Sequence, residues 1–160
     1  MKRIPLIFLA LMLLVTGCGM PARRDGTIQL PVVKGEYRAQ WQDGYQYDTP
    51  IFIDKYADWQ KFLQDHPAQS ATEDVLRQEY GEGFFQDHVL YVYIKGEASG
   101  SNTLTVKGAT RQGETLKLLM ERVVPDQGTD DMASRICVFG LKREDVKNVK
   151  VVEGVIAEVK

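Results

Sequence analysis

The residues with the plainest chemical meaning are Val15-Thr16-Gly17-Cys18. Small residues lead into a cysteine whose sulfur, as a thiolate, is a nucleophile. Before them stand a basic start, Lys2 and Arg3, and an apolar run from Ile4 to Val15. This is the pattern of an export signal that ends in a lipobox. The apolar run is about a dozen residues, where a spanning helix needs roughly 20. Residues 1–17 therefore read as a cleaved lipoprotein signal peptide, which leaves Cys18 as the first mature residue with a covalent lipid on its sulfur. That lipid is the one non-protein group expected; no other cofactor is. The implied location is the outer side of the cytoplasmic membrane, held by the lipid. Gly19 rather than aspartate follows the cysteine, which directs the protein to the outer membrane where the host has one.

Other reactive residue types lack the company that chemistry requires. Cys137 lies in the apolar run Ile136-Cys137-Val138-Phe139, where a free cysteine behaves as a small buried hydrophobe. With the Cys18 sulfur occupied by lipid, Cys137 has no intramolecular partner. His66 and His88 stand far apart with no metal-ligand spacing, and Asp126, Asp130 and Asp131 lack the spacing of a calcium loop. The chain carries no glycine-rich phosphate-binding pattern, and Ser99 and Ser101 flank Gly100 outside any nucleophile-elbow pattern. The expectation is a protein without catalytic residues and without a metal site.

Two stretches are candidates for binding. Ser99, Gly100, Ser101 and Asn102 form a small polar loop. Trp41, Tyr45 and Tyr47 alternate with polar residues and are a candidate aromatic surface for sugars or envelope polymers; such residues also form cross-strand pairs on a sheet. The formal charge of −2 becomes more negative when Lys2 and Arg3 leave with the signal, and no basic stripe stands out. Nucleic acid is excluded as a partner on that ground.

The elements that must position these residues follow from pattern. Residues 18–26 form a lipidated tether; Arg23 and Arg24 within it are placed to meet headgroups or water. Residues 27–160 have the length and the balance of a single globular domain, with 44% hydrophobic and 26% charged residues over the chain. Thr27 to Trp41, with Ile28 to Leu30, Val32-Val33 and the alternating Tyr37 to Trp41, reads as one or two strands ending at the Asp43-Gly44 turn, and Tyr45 to Tyr47 and Ile51 to Ile53 continue the extended character. Asp54 reads as the N-cap of a helix that carries Tyr56, Trp59, Phe62 and Leu63 on one face and stops at His66-Pro67. Glu73 to Tyr80 reads as a second helix with Val75 and Leu76 inward and Gly81 as its C-cap. His88 to Lys95 is apolar on both faces and so central. Thr103 to Lys107 and Thr115 to Val124 alternate about a hairpin at Arg111 to Glu114, with Leu116, Leu118, Met120 and Arg122 on one face. Arg135 to Leu141 and Val149 to Val159 complete the set, the last interrupted at Gly154. The fold class is α+β, mainly β: an antiparallel sheet folded as a sandwich or open barrel with one or two short helices packed on it.

Phe84-Phe85, the strand Val89 to Ile94, the Ser99-Gly100 loop leading into Leu104 to Val106, the Gly113-Glu114 hairpin, Val124-Pro125 and Ile136 to Phe139 followed by Leu141-Lys142 together resemble the PrcB C-terminal-type domain of bacterial exported proteins. The resemblance covers residues 84–152, with Ser101-Asn102-Thr103 in place of the family's second glycine and aromatic. It implies a non-catalytic accessory domain in a family named after a protein that associates with a surface protease. The functional expectation is thus a membrane-anchored interaction module whose partner is another exported protein, a protease among the candidates. The alternative is a carbohydrate or envelope-polymer binder that uses the exposed aromatics.

Overall fold

The computed structural model describes residues 26–69 and 72–159. The expected signal peptide, Cys18 and the expected tether up to residue 25 lie outside the described residues. Among the described residues eight strands form two four-stranded sheets. Strands β1 (Thr27–Leu30), β5 (Thr103–Gln112), β6 (Thr115–Val123) and β8 (Val151–Val159) lie in the order β1-β5-β6-β8. Strands β2 (Val33–Gln40), β3 (Ile51–Ile53), β4 (His88–Glu97) and β7 (Ala133–Lys142) lie in the order β2-β7-β4-β3. All pairs are antiparallel except β6 with β8, which is parallel. The class is α+β, mainly β, with a sandwich in place of a closed barrel.

Helices α1 (Tyr56–Asp65) and α2 (Thr72–Glu79) and a 3-10 turn over Glu82–Gln86 join β3 to β4, and the single-turn α3 (Arg143–Val146) joins β7 to β8. Two cores result. Between the sheets, β4 and β7 bring Tyr91, Tyr93, Cys137 and Phe139 against Leu104, Val106, Leu116, Leu118 and Met120. On the other face of the second sheet, Leu90, Val92, Ile94, Ile136 and Val138 meet Trp59, Phe62 and Leu63 of α1, Leu76 of α2 and Tyr80. The period of two along β4 and β7 thus feeds the first core from odd-numbered and the second from even-numbered positions. This is why both strands read as continuous apolar runs.

Several local expectations are corrected. Asp54 does not cap α1: extended Lys55 precedes the helix without a side-chain cap bond, and the Asp54 carbonyl accepts from Arg143 instead. Val75 is exposed while Leu76 is buried, because one turn of α2 presents a single narrow face to the core. Gly81 has φ −72 and precedes the 3-10 turn, so it is not a left-handed C-cap. Gly154 does not interrupt β8. It sits beneath the Tyr93 ring, with which a β-carbon there would collide.

Cys137 is fully buried and free, and burial pushes its thiol well above the usual range. Iodoacetamide at pH 8 is expected to leave it unmodified in the native protein and to alkylate it in urea. Labelling of the native protein at the denatured rate would show that this core opens.

Candidate functional site

The two stretches singled out for binding lie at the same end of the second sheet, where β4 finishes and β7 begins. The Gly100 N–H donates to Asp131 Oδ1 at 3.2 Å and its carbonyl accepts from Arg135 Nη2 at 2.6 Å. Arg38 closes on the same Asp131 carboxylate, which hydrogen bonding from Thr129 and then Arg38 holds below its usual range. Ser99 Oγ accepts from the Thr129 N–H at 2.8 Å and lies 2.9 Å from Ser101 Oγ. Asn102 is buried and donates to Glu97 Oε2 at 2.7 Å. The polar atoms of Ser99, Gly100, Ser101 and Asn102 are thus spent on pinning this loop to the 126–131 loop and to its own base.

Beneath it lies a charged pair that fixes the loop's base. Glu97 is fully buried, and Arg122 reaches it with Nε at 2.8 Å and Nη2 at 2.6 Å. Arg122 Nη1 also holds Glu158 of β8 at 2.8 Å. Burial pushes the Glu97 carboxyl up, but hydrogen bonds from Arg122 and Asn102 outweigh it and the group titrates below the ordinary value. Arg122 shares a face with Leu116, Leu118 and Met120, as the alternation predicts.

Trp41, Tyr45 and Tyr47 are half-buried and occupied with one another. Trp41 and Tyr47 stack with an interplanar angle of 12° and cover Gly96 of β4. The Tyr47 hydroxyl lies 2.9 Å from Ser134 Oγ and donates to the Gln42 carbonyl at 3.0 Å. Tyr45 packs on His66, ring centroids 4.2 Å apart. Tyr45 to Tyr47 are not extended but lie in the bends and turns between Gln40 and Ile51, and these rings close the corner between β2 and β3.

The edges of the sandwich differ sharply. On one side the chain switches sheets between β1 and β2, and side chains of β2 satisfy the part of β5 that the short β1 leaves open: Glu36 accepts from the Val106 N–H and Lys34 Nζ donates to the Lys107 carbonyl. On the other side β3 is three residues long and flanked by α1. β8 has no such cover among the described residues: nine residues long, it pairs with β6 alone. It carries no proline or lysine among the devices that blunt an edge, and its two charges are Glu153 and Glu158. Val151, Val155 and Val159 stand 47%, 40% and 44% exposed along its outer face.

Between the β8 and β3 edges the sandwich is open as a groove of about 430 Å³. Phe52, Val89, Tyr91, Val146, Val149 and Val152 form its apolar lining. Arg143, Lys147 and Lys150 complete it, and among the described residues no carboxylate lines it. Lys150 pairs with Glu114 outside at 2.9 Å, and Arg143 donates to the carbonyls of Asp54 and Phe85. Neither Arg143 nor Lys147 has a carboxylate partner among the described residues. Sequence reasoning named none of these residues as a site; the one available signal was a final valine-rich strand without proline or lysine.

A scan of family models, a search of curated proteins and a search of solved structures return no match to this chain.

Proposed function

We propose that the protein is a membrane-anchored lipoprotein that acts as a non-catalytic interaction module, holding another exported protein by accepting one of its strands at the β8 edge. The observation that carries this reading is β8: a nine-residue, valine-rich edge strand that pairs with β6 alone and has no further strand beside it among the described residues. Such an edge is a template for strand addition, in which main-chain hydrogen bonds give affinity and alternate side chains give specificity. The contrast with the covered β5 and β3 edges supports the choice of β8. The resemblance to the PrcB C-terminal-type domain supports an accessory role, with an exported protease as one partner to look for.

The anchor in this proposal is the lipid on Cys18. Thr27 pairs with Gln112 beside the Gly113 turn, so a tether over residues 18–26 leaves from the end of the sandwich that carries Lys147 and Lys150. A partner strand on β8 is then met close to the bilayer. Cys18→Ala is expected to leave the signal uncut or to move the protein out of the lipid-linked membrane fraction. Normal processing with unchanged membrane retention would refute the anchor. For the interaction itself, a photocrosslinking residue at Val155 is expected to capture a protein in the native envelope, and one at exposed Val75 on α2 is not. Capture of glycan alone from Val155 would overturn the proposal in favour of polymer binding.

A further inference from the structure

The edge that takes a strand also carries a charge gradient, and from it we infer the chemistry of the partner: an extended segment with alternating aliphatic residues that runs antiparallel to β8 and ends in carboxylates. This inference rests on the strand-addition reading above and specifies what that edge selects. Three observations carry it. A strand added to β8 turns every second side chain to the inner face, where the groove beside Val152, Tyr91 and Phe52 is apolar and open. Aliphatic side chains there leave water, and polar ones would be desolvated without partners.

The second observation is charge. At the Val151 end of β8 the groove is lined by Arg143, Lys147 and Lys150 with no acid among its walls. β8 itself carries two acids: Glu153, exposed on the outer face with Val151 and Val155, and Glu158, on the same side as Val152 and Ile156 and two-thirds exposed although it is paired with Arg122. Acids that a partner strand turns toward the groove at the Val151 end meet these cations, with Glu153 on the opposite face, whereas the same acids turned inward at the Val159 end meet Glu158 as a like charge. The third is direction. Antiparallel ladders are the more stable per residue, and an antiparallel partner brings its C-terminal end to Val151. Acidic side chains or a free terminal carboxylate at that end are therefore the complement of Lys147.

The test uses the full-length chain in zwitterionic nanodiscs and fluorescently labelled nine-residue peptides, the length of β8. One peptide alternates valine and threonine and ends in glutamates at its C-terminus. A second has the glutamates at its N-terminus, a third has lysines at its C-terminus, and a fourth carries prolines within the acidic C-terminal version. Fluorescence anisotropy is expected to rank the first peptide about tenfold tighter than the second and third. The proline version loses binding because the ladder is broken. Lys147→Glu should abolish the preference between first and third, and salt should shrink it. Equal binding of the first three peptides would overturn the acidic specificity and leave strand addition standing. Binding of none would overturn strand addition itself. Concentration-dependent dimers that shield β8 in the absence of peptide would also overturn the inference, since the edge would then belong to a second copy.

Discussion

Replacing Arg122 with methionine is expected to lower folding stability by about 3–5 kcal/mol, the scale on which a buried charge loses its salt-bridge partner. Glu97 keeps no exposed side-chain surface, and without Arg122 its carboxylate retains one donor, Asn102. The same change frees Glu158, and with it one tie between β8 and β6. Urea denaturation followed by tryptophan fluorescence measures the loss. Replacing Glu97 and Arg122 together by methionine should recover much of it, because the buried charge goes with its partner. A single-variant loss below about 1 kcal/mol, the scale of an exposed pair, would mean that the pair is solvated.

The pair also sets a pH dependence. The folded Glu97 carboxyl titrates below its ordinary value of 4.5, so the folded state binds fewer protons than the unfolded chain in that range. Its contribution is present in full above that ordinary value and is lost as pH falls through the lower folded value. Acid unfolding of the Glu97→Met, Arg122→Met double variant should accordingly be the less steep.

Trp59→Ala is expected to cost about 3–5 kcal/mol, the usual range for truncating a buried aromatic. Trp59 is fully buried, stacks on Phe62 with centroids 5.6 Å apart and meets Tyr80 edge-on at 5.7 Å. It is the ring by which α1 holds the second sheet. Trp59→Phe should cost much less, because the indole Nε1 is buried without a hydrogen-bond partner among the described residues and its removal relieves an unpaired donor. Calorimetric melting of both variants checks the order; equal losses would contradict it.

The strands were legible where one face or both faces are buried along their length. β4 announces itself by a run from Val89 to Ile94 with no polar position outside its tyrosine hydroxyls, and β6 by the alternation that puts Arg122 on the core face. Neither discloses that Arg122 meets Glu97, which lies at the end of a strand in the other sheet. The parallel pairing of β8 was equally hidden. Turn-rich spacing favours antiparallel neighbours, and only the α3 turn, with the Lys150 N–H donating to the Glu114 carbonyl, delivers β8 alongside β6 in the same direction. The groove draws on β3, β4, α3 and the start of β8, so no window of sequence contains it. The aromatic triplet was visible as residues, but its use as packing was set by partners such as Gly96, Ser134 and His66 that are remote in sequence.

The central claim is that β8 is an edge awaiting a strand. Amide hydrogen exchange along Val151–Val159 tests it most directly, measured on the isolated chain and again on the complex captured from the envelope. Fast exchange is predicted at the β8 amides that point away from β6 in the isolated chain, with strong protection of those amides in the complex. Protection already complete in the isolated chain, or exchange that the captured partner leaves unchanged, would contradict it.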